Sequence, residues 1–143
     1  MKLRDLPSEL EPALTRLREK PESRRPCLVV EAHPKNSGLF IQYLGSAERP
    51  LVLEVCFNVR TREISGFAAA AKRFFGCEMR IAEDESFGVW DKECRSVVRG
   101  VEHGMHVLRH VLLLDWDREL FIDEIEDEPI DRVRRGIVLG GLG

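Results

Sequence analysis

The stretch HGMHVLRH, residues 103–110, places three of the chain's four histidines within eight positions. On the helix predicted from about residue 91 to residue 113, His103, His106 and His110 fall within about 60° of one another. His106 and His110 have the i, i+4 spacing that can chelate one metal ion from a single helix. His103 and His110 are separated by about 10.5 Å along the helix axis, so the three cannot bind one ion directly.

The charges beside these histidines argue against a metal site. Arg95, Arg99 and Arg109 lie on the same polar half of the predicted helix and would repel a cation. A metal site also needs a third ligand and groups that orient the ligands. We therefore predict a solvated or partner-facing side of the helix with no resident metal, and a metal site is the less favoured interpretation.

Paired carboxylates are the second candidate for chemistry. Glu31 and Glu54 lie on predicted strands and could serve acid–base or metal chemistry together with the helix histidines, as in a small metal-dependent hydrolase. The sequence contains no G-x-S-x-G, no glycine-rich phosphate loop, no H-E-x-x-H and no dinucleotide-binding fingerprint. We therefore predict no catalytic residues, no cofactor and no enzymatic activity, and the hydrolase is the least favoured alternative.

Composition narrows the possible partners and the compartment. The 143 residues carry a net charge of −3, with 33% charged side chains of both signs, which disfavours a nucleic-acid binder. No apolar run reaches the roughly 18 residues of a membrane span, and the first ten residues lack the apolar core of a signal peptide. The four cysteines are scattered and lie in apolar segments. They are expected to be buried free thiols of a cytoplasmic protein.

Hydrophobic periodicity predicts an α+β fold of order α-β-β-β-α-β-α-β. The expected sheet is antiparallel, has four to five strands and carries helices on one face, because short connectors join the first three strands. We predict one chaperone-like α+β domain over residues 1–128 and a flexible C-terminal tail over 129–143. The elements expected are helices at 8–19, 62–75 and 91–113, and strands at 27–33, 39–45, 51–58, 77–82 and 119–125.

The last predicted helix carries the strongest apolar stripe and two glycines at its side. Gly100 and Gly104 are four residues apart, a spacing that permits close approach of another backbone. Glycine costs about 1 kcal/mol relative to alanine inside a helix, so two of them indicate a packing role. That role is either close packing on the chain's own sheet or a homodimer contact. The stripe comprises Cys94, Val97, Val98, Val101, Met105, Leu108 and Leu112.

Three segments resemble the type III secretion chaperone-like family, known as TY-Chap, and its YbjN-type relatives. They are FIQY at 40–43, LEVCFN at 53–58 and the helix end FFG at 74–76. The resemblance implies a small acidic α+β domain, often dimeric, that holds a segment of another protein and catalyses nothing. Such chaperones bind an extended segment by strand addition and in apolar grooves, so the sheet should have a free edge.

We therefore expect a non-enzymatic, homodimeric module that binds an effector or toxin segment. The candidate groove residues are Phe40, Tyr43, Leu51 and Phe57, although a place in the core is the favoured interpretation of each. An alternative is an immunity- or inhibitor-type protein that masks a basic toxin through Asp115, Asp117 and the acidic residues of 123–128. Salt-sensitive binding would favour this alternative over an apolar groove.

Overall fold

The fold is described by a computed structural model over residues 1–58, 64–77, 79–81 and 87–126. Its helices are α1 (Leu6–Glu19), α2 (Ile64–Phe75) and α3 (Val97–His106), and α3 continues into a π-helical turn (Val107–Val111). Its strands are β1 (Cys27–Ala32), β2 (Phe40–Leu44), β3 (Leu51–Asn58), β4 (Arg80–Ile81), β5 (Phe87–Cys94) and β6 (Leu120–Ile125). Short 3₁₀ segments occupy Leu3–Asp5 and Glu22–Arg24.

The described strands form one antiparallel sheet in the order β4-β5-β3-β2-β1-β6. The helices pack on one face of this sheet, here called the helix face, and the opposite side is the outer face. This arrangement confirms the predicted α+β fold with an antiparallel sheet and helices on one side. None of the helices within the described ranges is long and apolar enough to cross a membrane.

Period-two alternation sorts the strand residues onto the two faces. Leu28, Val30, Ile41, Tyr43 and Leu53 point to the helix face and are fully buried. The buried residues that α1 contributes to the same core are Leu6, Leu10, Ala13, Leu14 and Leu17.

The outer face carries a second, smaller apolar cluster built from strand residues alone. Its buried members are Cys27, Val29, Phe40 and Cys56. Gln42 lies at its centre and donates a short hydrogen bond to the Glu54 carboxylate. The Gln42 amide thus keeps a hydrogen-bond partner although its side chain is buried among apolar neighbours.

The predicted start of the last helix near residue 91 is wrong. Residues 87–94 form β5, which pairs with β3 along its whole length. Trp90 and Cys94 of β5 are buried toward the helix face, and pairing with β3 prevails over the helical spacing of the apolar residues. The helix begins only after Ser96, whose hydroxyl accepts a hydrogen bond from the Arg99 amide at 3.1 Å.

The bounds of two other elements also differ from the predicted ones. The first helix begins at Leu6 instead of residue 8, and the strand expected at 77–82 is limited to Arg80–Ile81 in the described part of the chain. β5 therefore adds a strand to the predicted order. The predicted tail, 129–143, lies outside the described residues.

Candidate functional site

The histidine side of α3 packs partly against the end of α2. The His106 ring stacks on the Phe74 ring, with 4.5 Å between centroids and 19° between planes. His103 meets the same phenylalanine edge-on at 5.6 Å, and the His106 and His110 centroids are 5.0 Å apart. His106 and His110 remain exposed, whereas His103 is partly buried. The three rings therefore line one wet side of α3, and Phe74 covers part of it.

Burial and neighbouring positive charge act on two of these imidazoles, those of His103 and His106. Burial is the main cause that lowers the pKa of His103, and the nearby charge of Lys92 lowers it further. Burial, followed by the charge of His110, lowers the pKa of His106. The Lys92 ammonium lies 5.2 Å from the Phe74 ring centre. Within the described ranges, no three metal-ligating side chains converge on a common point.

The carboxylates proposed for a hydrolase lie on the other side of the sheet. Glu31 and Glu54 alternate onto the outer face, away from α3 and its histidines. Glu31 accepts a hydrogen bond from the Asn36 amide at 3.0 Å, and Glu54 is bonded to Gln42. The sheet thus separates the carboxylates from the imidazoles, so the structure does not assemble the site that this alternative requires.

Three of the four cysteines, Cys27, Cys56 and Cys94, are buried as predicted, whereas Cys77, just beyond the end of α2, is exposed, so the prediction is wrong for Cys77. Two of the buried thiols lack the environment of a nucleophile. Burial raises the pKa of Cys56 to about 12 and also raises the pKa of Cys94. A thiolate is the reactive form of cysteine, so these shifts suppress reactivity. Cys27 begins β1 and His33 follows its last residue, so the two stand at opposite ends of a strand about 20 Å long.

The predicted groove residues lie in buried positions. Tyr43 and Leu51 are fully buried against the helices, and Phe40 is buried in the outer-face cluster. The side chain of Phe57, which lies in β3, falls outside the described residues. This placement replaces the expected groove role of Tyr43 and Leu51 with a core role, because neither side chain offers surface to a partner.

Gly100 and Gly104 are buried against the chain's own sheet. A Cβ at Gly100 would lie 2.8 Å from a Leu51 methyl and 3.2 Å from a Leu14 methyl. A Cβ at Gly104 would collide with the Tyr43 hydroxyl, which donates a 2.8 Å hydrogen bond to the Gly100 carbonyl. The close approach that these glycines allow is therefore intramolecular, which is the alternative to a dimer contact.

Of the five described acidic residues proposed to face a toxin, three form ion pairs within the chain, whereas Asp115 and Asp123 are exposed and have no ion-pair partner among the described residues. Asp117 pairs with Lys2 and Arg4. The remaining pairs are the bidentate Arg16–Glu124 bond at 2.9 Å and the Lys20–Glu126 bond at 3.2 Å. Residues 127 and 128 lie outside the described ranges. The hydrogen bond from Arg16 is the main cause that lowers the pKa of Glu124.

An exposed apolar patch precedes β6, and the sequence analysis did not identify it. Leu113 has φ +58° and is 70% exposed, although this backbone region is strained for a bulky side chain. Trp116 is 47% exposed, and the Arg109 guanidinium lies 4.6 Å from its ring centre. Trp and Arg are the residues most enriched at binding hot spots. The sequence signal for this patch is the segment LLLDWD at 112–117, which spans the predicted end of the last helix.

The edge of the sheet at β6 presents main-chain groups that bond to none of the described residues. The His33 amide donates to the Glu119 carbonyl at 2.8 Å, which fixes the odd-numbered residues of β6 as those bonded to β1. Antiparallel residues alternate in hydrogen-bonding direction, so Ile122 and Glu124 direct their N–H and C=O groups away from the sheet. No strand in the described part of the chain pairs with these two residues.

The N-terminus already uses the first position of this edge. The Met1 ammonium donates to the Leu120 carbonyl at 3.0 Å, and the Leu120 amide donates to the Met1 carbonyl at 2.7 Å. Lys2 and Glu119 form an isolated antiparallel β-bridge through their main chains. An extended segment therefore lies along β6 up to Leu120, and the edge continues beyond it to Ile125.

Comparison with known proteins adds no name to this geometry: no family model matches the chain, and neither a curated protein nor a solved structure is significantly similar to it.

Proposed function

We propose that this chain is a non-enzymatic protein-binding module that holds an extended segment of a partner along the outer edge of β6. The observation that carries this proposal is that the main-chain N–H and C=O groups of Ile122 and Glu124 point away from the sheet. They lie next to Leu120, with which Met1 already forms strand-like hydrogen bonds. Main-chain hydrogen bonds supply affinity in strand addition, and alternate side chains supply specificity.

Two further observations support the proposal. The raised pKa values of Cys56 and Cys94 disfavour these two thiols as nucleophiles. The resemblance to secretion chaperones, which hold effector segments, agrees with this mode of binding.

The location and assembly of the protein are part of the same proposal. The cysteines form no disulfide bond, which supports a reducing compartment such as the cytoplasm. We also propose a homodimer, as the resemblance implies, and light scattering tests it. Ion pairs within the chain occupy Asp117, Glu124 and Glu126, three of the five described acids proposed to face a toxin, so the toxin-masking alternative has less support.

Selection of random peptides on phage tests the edge directly. Immobilised protein should enrich sequences rich in β-branched residues. Ile122→Pro removes one outward N–H while leaving the bonds to β1, since proline is tolerated on an edge whose N–H faces outward. We expect Ile122→Pro to abolish the enrichment and Ile122→Val to retain it. Equal enrichment on both variants would refute binding at β6.

A further inference from the structure

Resting on the proposed function, we infer that the segment bound along β6 carries a basic side chain opposite Asp123, flanked by apolar side chains opposite Phe121 and Ile125. These three residues share the outer face of β6. A strand added to the edge would place its own alternate side chains directly opposite them.

The charge of the segment follows from the pairing of the acidic residues along this strand. Arg16 neutralises Glu124, Lys20 neutralises Glu126, and the N-terminal ammonium lies 3.4 Å from the Glu119 carboxylate. Asp123 is exposed and has no ion-pair partner among the described residues. An incoming lysine or arginine therefore meets, at the centre of the edge, a carboxylate that no described residue neutralises.

The apolar positions follow from the residues on either side of Asp123. Phe121 and Ile125 are partly exposed, and Ile125 packs against the outer-face cluster. Aliphatic side chains opposite them would extend that cluster by one strand. Because non-hydrogen-bonded antiparallel pairs have the closest side chains, the residue opposite Asp123 is well placed for an ion pair.

A second copy of β6 fits this edge poorly. Two strands related by a two-fold axis would place Asp123 opposite Asp123 or Glu124 opposite Glu124, and like charges directly opposite are destabilising. The third register, centred on Ile122, would bring Glu124 of one copy to Leu120 of the other, where Met1 is already bonded. The occupant is therefore a segment of a different protein, and a homodimer would use another surface.

Synthetic pentapeptides test the inference on the full, untagged chain. The probe is acetyl-VTKTV-amide, which spans Phe121 to Ile125 and stops short of Leu120, where Met1 is bonded. It reads the same in both directions and therefore does not presuppose a strand direction. Its charge control is acetyl-VTETV-amide, and its backbone control is the lysine peptide N-methylated at the second and fourth residues. Binding is followed by chemical-shift changes in ¹⁵N-labelled protein, titrated to a Kd.

We expect the lysine peptide to shift β6 resonances and to bind about fivefold more tightly than the glutamate peptide, as a cross-strand charge pair predicts. Asp123→Lys should reverse this preference, and Asp123→Asn should weaken it. N-methylation should abolish binding of the lysine peptide, because the two methylated amides would face Ile122 and Glu124.

The outcomes separate the inference from the proposed function. Equal binding of both charged peptides, still abolished by N-methylation, would overturn the basic partner and leave strand addition standing. Absence of binding, or binding that N-methylation does not affect, would overturn both. If the peptide dissociates a dimer, a second copy occupies the edge, and the inference fails.

The basic C-terminal sequence RVRR supplies one more control. Replacing Arg132, Arg134 and Arg135 by glutamate in the full chain should leave peptide affinity unchanged. Tighter peptide binding by this variant would identify the chain's own basic residues as competitors and overturn the assignment to a separate partner.

Discussion

The two sides of α3 differ sharply although they belong to the same ten residues. On one side, Gly100 and Gly104 are buried, and the Tyr43 hydroxyl lies against the helix backbone. On the other side, His103 and His106 are only partly covered, and a single aromatic ring from α2 packs against them.

This difference shows where the fold tolerates change. The glycine side is close-packed, so added volume has no space and must displace the sheet. The histidine side is largely solvent-exposed, so substitutions there change the charge of the surface more than the packing of the core. We expect structural damage on the first side and pH-dependent effects on the second.

Gly104→Ala should produce the largest effect, a loss of about 2 kcal/mol in the free energy of unfolding, because the new methyl group overlaps the buried Tyr43 hydroxyl. Urea unfolding measures this loss. Adding Tyr43→Phe should recover part of it, since the two changes share one contact. A strictly additive double variant would show that the collision is not the cause.

Tyr43→Phe alone should cost about 1 kcal/mol, the usual value for a buried hydrogen bond. The hydroxyl donates to the Gly100 carbonyl, and burial raises the pKa of Tyr43 well above 10. The same unfolding measurement checks this value. A spectroscopic titration of the native protein should show no tyrosinate up to pH 10, and its appearance below that pH would contradict the burial.

Acidification should lower the free energy of unfolding through the two partly covered histidines, His103 and His106. Because the folded-state pKa values of His103 and His106 lie below the unfolded value of 6.5, the unfolded chain binds more protons in that interval. Their contribution to the free energy of unfolding is therefore fully present above pH 6.5, and it is lost as the pH drops through the folded pKa values.

Replacing both histidines by glutamine should flatten the stability profile between pH 6.5 and 5, measured by urea unfolding at each pH. Carboxylates such as Glu124, whose pKa is lowered from 4.5, lose their contribution only at lower pH. An unchanged slope in the double variant would contradict the assignment to these two rings.

Gly66→Ala should give the smallest effect, a gain of roughly 0.5–1 kcal/mol, because alanine is the better helix former and a Cβ there meets nothing within 4 Å. This variant also serves as the matched control for Gly104→Ala. Thermal unfolding is sufficient to detect it, and a loss of stability would show that α2 tolerates less volume than its surroundings indicate.

The sequence predicted the elements whose periodicity is local. The strands near residues 27–33, 39–45 and 119–125 are present within a few residues of their expected bounds. β5 was not predicted because Gly88, Asp91 and Lys92 interrupt the alternation of apolar and polar residues along it. Its strand conformation also depends on pairing with β3. Tertiary pairing of this kind overrides local propensity.

The candidate site was less predictable for a similar reason. The outward tendency of the histidines followed from helical geometry, but the stack with Phe74 requires α2 to be placed in space. The edge at β6 depends on strand order, which no local pattern of apolar residues encodes. Val98, expected in the buried stripe, is exposed, because the buried face of α3 is the one that carries Gly100 and Gly104, and Val98 lies on the opposite side of the helix.

The bonding of Met1 to Leu120 has a practical consequence for anyone who prepares this protein. The N-terminal segment runs antiparallel to β6, so residues joined ahead of Met1 would continue along the same edge toward Ile125. A purification tag placed there would act as a tethered competitor at high effective concentration. Ligand screens on such a fusion would return false negatives, whereas tag-free material would reveal the interaction.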